Sequence, residues 1–247
     1  MEKESGGKLP VRENPVIKVL PFKGWRKVLA ERMLSNHLSC AEVTQMREVD
    51  ATELVSLRQQ MLHQFQTEHG VRLTFTHLLI KIVAHALQQH PMLNSALVGE
   101  EIHIFQDCNI AIAVALEDGS LLAPVVPQAN SKSIVEIARE SARLIEQVRS
   151  KRFSLDCLTG GTFTITNAGM YGTDFVTPLI SLPQTAALGV GKLVKKPAVW
   201  NDQITIRMKM GLSLTYDHRV ISGAVAAEFF QTLEKLIDNP AQLDLGN

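Results

Sequence analysis

The residue best suited to proton transfer in this 247-residue chain is a histidine between two charged side chains. His218 lies between Asp217 and Arg219, directly after an alternating apolar segment and just before a helical one. An imidazole titrates near neutral pH and can therefore act as a general base. On spacing alone, a histidine that only supports a turn, with two solvated charges beside it, is the commoner arrangement. Both interpretations are open at this point.

A second candidate is the stretch "GGTFTITNAGMYG" at 160–172. The period of two in a strand places Thr162, Thr164 and Thr166 on one face, which is typical of a solvated or edge strand. That interpretation is favoured for Thr162 and Thr164. Thr166 differs because it ends the strand, before Asn167 and a glycine turn, where a hydroxyl could donate to a developing oxyanion. The glycines do not match the phosphate-binding loop pattern.

Composition excludes several classes of protein. Lys and Arg number 25, as do Asp and Glu, so nothing indicates a nucleic-acid partner. The chain has no apolar run of membrane-spanning length and no apolar signal region at its start, so we expect neither a membrane span nor secretion. The three widely spaced cysteines predict free thiols in a reducing compartment, although a catalytic cysteine stays open. The eight histidines lack the grouping of a metal site, so no metal is expected.

The remaining sequence predicts the elements that would position these residues. Helices are predicted at 25–34, from Asp50 to Gly70, at 76–88, from Ser133 and at 223–238, with Asp50/Glu53 and Ser133/Glu136 as capping pairs. Every even position from 204 to 216 is apolar, which indicates a long half-buried strand ending just before His218. These elements predict an α+β fold with a mixed sheet covered on one face. Residues 1–15 have linker composition, and 16–247 form the predicted catalytic domain.

Four stretches together carry a family resemblance: "FKGWRKVLAERM", "LLIKIVAHALQQHPMLNSAL", "GGTFTITNAGMYG" and "DHRVISG". In this order they resemble the catalytic, core-forming domain of dihydrolipoyl acyltransferases, components of 2-oxo acid dehydrogenase complexes. The resemblance covers about 16–240 of the chain. It implies a chloramphenicol acetyltransferase-like fold with flanking helices, assembled as trimers. The linker-like start then fits a catalytic domain that is separated from lipoyl and subunit-binding domains.

The resemblance also implies roles for particular residues. His218 would take the proton from the thiol of coenzyme A or of the dihydrolipoyl arm, and a thiol pKa near 8.5 suits an imidazole base. Thr166 would donate a hydrogen bond to the tetrahedral oxyanion, from a neighbouring subunit. Asn167 and Met170 would line the substrate channel. This chemistry requires no metal and no covalent enzyme nucleophile.

One position departs from the family pattern, which has aspartate where this chain has Ser222. In relatives that aspartate supports the site through an arginine, for which Arg26 is the candidate here, and Asp217 is a further structural support. Serine and aspartate are both good N-caps, so Ser222 could keep the capping role while the ion pair is lost. The alternatives are a structural core subunit that has lost catalysis and a free-standing acetyltransferase of a small molecule.

The resemblance further implies partners. A homotrimer would assemble into a core of 24 or 60 subunits, with Leu243 and Leu245 either as anchors in a neighbouring trimer or as part of a disordered end. The lipoyl domain, the decarboxylase and the dihydrolipoyl dehydrogenase would be the other partners. The compartment would be the cytoplasm of a prokaryote or the mitochondrial matrix. The acyl group stays open among acetyl, branched-chain, succinyl and others.

Overall fold

The computed structural model describes residues 15–117 and 119–243, so nearly all of the predicted linker lies outside the described residues. In chain order, the helices of this part are α1 (Trp25–Leu38), α2 (Thr52–His69), α3 (Phe75–Gln89), α4 (Ile134–Arg149) and α5 (Gly223–Asp238). The strands are β1 (Glu42–Asp50), β2 (Ser95–Val98), β3 (Glu101–Ile104), β4 (Ile110–Ile112), β5 (Val114–Ala115), β6 (Leu121–Leu122), β7 (Val125–Val126), β8 (Phe163–Asn167), β9 (Ala186–Trp200) and β10 (Gln203–Asp217).

Six of these strands form one mixed sheet in the order β1-β10-β9-β8-β4-β7. The pairs β4–β8 and β8–β9 are parallel, and the other pairs are antiparallel. One face of the sheet, with Leu212, Leu214 and Tyr216 of β10, shares a single hydrophobic core with α3 and α5. The predicted α+β class with a mixed sheet and flanking helices is therefore confirmed.

Local capping signals gave one correct and one wrong helix start. At α4 the Ser133 hydroxyl accepts the Glu136 amide at 3.2 Å, and the Glu136 carboxylate accepts the Ser133 amide at 2.8 Å. The predicted Asp50/Glu53 box is wrong, because Asp50 ends β1 and α2 has Ala51 as its N-cap residue. Side chains from a distant strand bind the Asp50 carboxylate instead.

Asp50 forms the centre of an ion-pair cluster at the far end of β10. Its carboxylate accepts Arg207 Nε at 2.8 Å, Lys209 Nζ at 3.3 Å and the Thr52 amide at 3.0 Å. Burial acts to raise the pKa of Asp50, but the hydrogen bonds from Arg207 and Thr52 prevail and lower it to about 2. The cluster thus ties the start of α2 to the hairpin of β9 and β10.

The long strand β10 is confirmed, but its predicted half-burial is wrong at both ends. Its outer part extends beyond β1, so Ile204 and Ile206 are 83% and 74% exposed. Its inner part, 210–217, is buried on both faces. The second face is covered because the chain over 173–184 crosses it, contrary to the expectation of one covered face.

Glycines make this crossing possible. A Cβ on Gly191 or Gly211 would overlap the carbonyl oxygen of Asp174, and one on Gly189 would overlap that of Val176. The crossing segment therefore lies closer to the sheet than any side chain at these positions would allow.

The same covering corrects the expectation of a solvated or edge strand at β8. This strand lies inside the sheet, between β9 and β4, and Thr162 and Thr164 are each only 5% exposed. Thr164 donates to the Gln184 side chain at 2.6 Å, and Thr162 Oγ1 accepts the Asn109 amide at 2.9 Å. Their hydroxyls are therefore buried structural groups.

The end of the described chain corrects one further expectation. Leu243 is only 5% exposed and packs in the core of its own chain, so it does not anchor a neighbouring trimer. Leu245 lies outside the described residues. Within 15–117 and 119–243, no helix is both long and apolar enough to cross a membrane.

Candidate active site

His218 lies immediately after the last residue of β10, as the alternation predicted. Its side chain is exposed, and its ring packs beside that of Tyr216, with 5.8 Å between the centroids. Its backbone amide donates to the Ala41 carbonyl at 2.9 Å. Among the described residues the ring has no hydrogen-bond partner, so both ring nitrogens are available to a ligand.

Asp217 is the most heavily hydrogen-bonded group near this histidine. It is 1% exposed, and its carboxylate accepts Arg219 Nη2 at 2.6 Å and Arg219 Nε at 3.0 Å. Burial acts to raise the pKa of Asp217, but the Arg219 hydrogen bonds outweigh it and lower the pKa below its ordinary value. The two charges flanking His218 are therefore paired with each other, and the solvated-flank interpretation is wrong for Asp217.

Thr166 lies near the end of β8 and is partly exposed. Within the described part of the chain its hydroxyl makes no side-chain hydrogen bond, in contrast to those of Thr162 and Thr164. A hydroxyl in this state can donate to a bound oxyanion without breaking an existing bond.

Asn167 and Met170, expected in the channel beside Thr166, have different environments. The Asn167 amide donates to Thr76 Oγ1 at 3.1 Å, and its carbonyl oxygen accepts the Gly169 amide at 3.0 Å. These bonds connect the end of β8 to its glycine turn and to α3. Met170 lies in that turn and is 71% exposed, so its side chain is accessible to a ligand or another copy of the chain.

Sheet register shows that Thr166 and His218 are far apart within one chain. Thr166 is level with Gly189, which is level with Ser213 of β10. His218 follows five residues later, which at about 3.4 Å per residue and across two strand spacings of about 4.8 Å gives a separation of roughly 20 Å. Both side chains can act on one acyl group only if they come from different copies of the chain.

Ser222 has the capping role expected for it. Its hydroxyl accepts the Val225 amide at 3.4 Å, and it is the N-cap residue of α5. Its side chain is exposed and carries no charge. Arg26 lies on the exposed first turn of α1, and its role as the arginine that pairs with the aspartate of relatives stays a prediction.

The three cysteines are poorly suited to act as catalytic nucleophiles. Burial raises the pKa of the Cys40 thiol and that of the Cys108 thiol to about 11, and burial also raises the pKa of Cys157. A protonated thiol is a poor nucleophile. Across the described ranges, no three His, Cys, Asp or Glu side chains are grouped so that they could hold a metal ion.

Sequence reasoning missed the residues that fix the histidine turn from outside it. Ala41 contacts this turn from the chain preceding β1, and Thr185 accepts the Asp217 amide at 2.9 Å. Both residues contact the turn through backbone carbonyl oxygens and not through their side chains. Only the antiparallel register of β1 with β10, which pairs Glu42 with Asp217, could have indicated the Ala41 contact.

Comparison with known families gives one match over nearly the whole chain. Residues 14–245 match the family described as 2-oxoacid dehydrogenases acyltransferase (catalytic domain). Curated relatives include the succinyltransferase component of the 2-oxoglutarate dehydrogenase complex of Haemophilus influenzae, 36% identical over 92% of this chain and 55% of that protein. The acetyltransferase component of the pyruvate dehydrogenase complex of Rickettsia felis is 34% identical over 94% of this chain and 56% of that protein. The chain thus spans about half the length of the curated relatives that it matches.

Solved structures similar to this chain include two that it covers almost completely. The cubic core of a pyruvate dehydrogenase multienzyme complex has a TM-score of 0.89 and 33% identity, over 96% of this chain and 99% of that one. The dihydrolipoamide acetyltransferase of Azotobacter vinelandii gives the same values and was studied for the roles of a serine, a histidine and an asparagine in its catalytic mechanism.

The spacing of those three residues recurs in this chain. In the Azotobacter protein the serine precedes the histidine by 52 residues, and the asparagine follows it by four. The same intervals separate Thr166 and Ser222 from His218. A neutral side chain four residues after the histidine therefore also occurs in that acetyltransferase, and it is not peculiar to this chain.

Proposed function

We propose that this chain, which belongs to the family of 2-oxoacid dehydrogenase acyltransferase catalytic domains, transfers an acyl group between a dihydrolipoyl group and coenzyme A. The observation that carries the proposal is the matched interval of 52 residues between a hydroxyl side chain and a histidine. In this chain the hydroxyl has no competing side-chain bond and the imidazole is exposed.

The reaction begins with the base. His218 takes the proton of the attacking thiol, and the thiolate forms a bond to the carbonyl carbon of the acyl thioester. Thr166 donates its hydroxyl hydrogen to the resulting oxyanion, which accumulates charge only as the tetrahedral intermediate forms. The intermediate then collapses, the other thiolate leaves, and the imidazolium returns the proton to it.

The site requires at least two copies of the chain, since Thr166 and His218 of one copy are roughly 20 Å apart by strand geometry. We propose a homotrimer in which each copy gives His218 to one site and Thr166 to the next. A larger core built from such trimers is supported by the likeness to the cubic core. The lipoyl domain, the decarboxylase and the dihydrolipoyl dehydrogenase are the proposed partners of that core.

Ser222 does not prevent this function in our proposal. Its capping bond maintains the start of α5, directly after the histidine turn. The Azotobacter acetyltransferase has an uncharged side chain at the same interval from its histidine. The alternative, a core subunit without catalysis, gives no reason for the presence of both the proposed base and the proposed oxyanion donor.

The test is acyl transfer to reduced lipoamide from acetyl-, propionyl-, isobutyryl- or succinyl-CoA, which also determines the preferred acyl group. We expect transfer with at least one donor, and a loss of about 10²–10⁴-fold in His218→Ala because the base is removed. His63→Ala, at an exposed histidine on α2, is the matched control and should keep the wild-type rate. An assembled protein that transfers no acyl group from any donor would contradict the proposal.

A further inference from the structure

The turn that holds His218 is stabilised by an ion pair whose carboxylate is buried and whose guanidinium is half-exposed. Four hydrogen bonds from Arg219 reach the Asp217 carboxylate: the backbone amide at 3.1 Å, Nε at 3.0 Å to each oxygen, and Nη2 at 2.6 Å. Asp217 is 1% exposed, whereas the Arg219 side chain is 47% exposed. A carboxylate this deeply buried requires a paired cation, and this one has Arg219.

The same carboxylate reaches a second segment of the chain. The Ala41 amide faces the same carboxylate and helps to lower its pKa, and the Ala41 carbonyl accepts the His218 amide at 2.9 Å. Cys40, the residue before Ala41, lies beside both Asp217 and Arg219. Arg219 thus orients a carboxylate that lies beside Ala41, and the Ala41 carbonyl holds the backbone of His218.

We propose that Arg219 is a positioning residue for acyl transfer, acting through Asp217 and Ala41 to fix the backbone from which His218 projects. This inference rests on the proposed function, since it concerns the base of that reaction. Because the guanidinium acts through its carboxylate partner, its removal should slow the chemical step more than it weakens substrate binding. A displacement of about 1 Å in a reacting group can cost on the order of 100-fold in rate.

Removing the positive charge of Arg219 should also change the pH dependence of the rate. The titratable and charged groups of the turn, of the chain preceding β1 and of the end of α1 are Asp217, Arg219, Tyr216, Cys40, Glu42 and His37. Without the guanidinium, the negative charge that Asp217 retains has no counter-ion one residue away from His218, and a negative charge there favours the protonated ring. A protonated ring is not a base, so the acidic limb of the pH–rate profile moves to higher pH.

The test compares Arg219→Ala and Arg219→Lys with Arg207→Ala. Arg207 is the matched control because it pairs with a mostly buried aspartate at the far end of the same strand. We expect Arg219→Ala to lower kcat by about 10- to 100-fold, with less effect on KM, and to shift the acidic limb upward. Arg219→Lys keeps the charge and should restore the position of the limb and part of the rate. Arg207→Ala should lower the melting temperature without shifting the limb.

Three results would overturn the inference. The first is a kcat within about twofold of wild type together with an unmoved limb in Arg219→Ala. The second is a raised KM for coenzyme A at unchanged kcat, which would mean that Arg219 binds the substrate directly. The third is a proton uptake curve of the His218 ring, measured by NMR, that is identical in wild type and Arg219→Ala. This last measurement requires no turnover, so a failure of the proposed function is recognised separately by the absence of transfer in wild type. If Arg219→Ala does not fold, the kcat of Arg219→Lys decides. A fall in kcat that exceeds the change in KM supports the inference, since one ammonium cannot reproduce the bidentate geometry, and a kcat within about twofold of wild type overturns it.

Discussion

Two inactive variants of this protein should restore activity when they assemble together. His218→Ala removes the proposed base and Thr166→Ala removes the proposed oxyanion donor. Because these residues are roughly 20 Å apart in one chain, each working site must combine His218 of one copy with Thr166 of its neighbour. A mixed ring therefore contains some sites in which both side chains are intact.

The expected recovery follows from counting such sites. Alone, Thr166→Ala should lose about 10²–10³-fold, and His218→Ala about 10²–10⁴-fold. In an equal random mixture within a closed ring, a site is intact when a Thr166→Ala copy precedes a His218→Ala copy, which occurs at about one quarter of the sites. The mixture should then reach about a quarter of the wild-type rate, more than tenfold above either variant.

The assay is acyl transfer after co-expression or joint refolding of the two variants at equal amounts. Mixing the separately assembled variants, without subunit exchange, is the first control and should show no recovery. The second control mixes wild type with the double variant His218→Ala/Thr166→Ala. A shared site predicts about one quarter of the wild-type rate there as well, whereas a site within one chain predicts about one half. No recovery in the first mixture together with one half in the second would refute the shared site.

Three further predictions concern stability. Ser222→Ala should lower the free energy of unfolding by about 1 kcal/mol through loss of the α5 cap, while Ser222→Asp should not; equal urea midpoints for all three proteins would contradict the capping role. Gly191→Ala should lower the free energy of unfolding by about 1–3 kcal/mol or more, because its methyl group overlaps the Asp174 carbonyl. Gly223→Ala is the control and should be tolerated. A melting temperature of Gly191→Ala equal to that of wild type would show that the crossing segment can move. The pKa of Asp50 is lowered to about 2, so its ion pairs stabilise the fold above the ordinary aspartate pKa, and this stabilisation is lost as the pH falls from about 4 toward 2. Asp50→Asn should therefore flatten the pH dependence of the unfolding midpoint in this range. An unchanged slope would contradict the stabilising role of these ion pairs.

The parts of this fold that sequence predicts are those encoded by near neighbours. The period of two located β10 and placed His218 at its end, because alternation is a property of the strand itself. Ser133 and Glu136 formed their capping box for the same reason, since three residues of helix geometry determine it.

The parts that sequence could not predict depend on distant partners. Asp50 has a capping pattern, but Arg207 and Lys209 bind its carboxylate from more than 150 residues away. Burial of the polar face of β10 requires a crossing segment that no local pattern in β10 reveals. The proposed sharing of the site between two copies rests on the parallel pairing of β8 with β9, which a single strand pattern does not contain.

The proposed division of the site between two copies should also protect the substrate from hydrolysis. A single chain with both His218 and Thr166 at one place could hydrolyse acyl-CoA before its partners were present, and the acyl group would then be lost to water. Because His218 and Thr166 of one chain are roughly 20 Å apart, a newly made chain should neither transfer nor hydrolyse acyl groups until it has joined a ring. Specific activity per chain should therefore fall on dilution as rings dissociate, and the reaction itself becomes a readout of assembly.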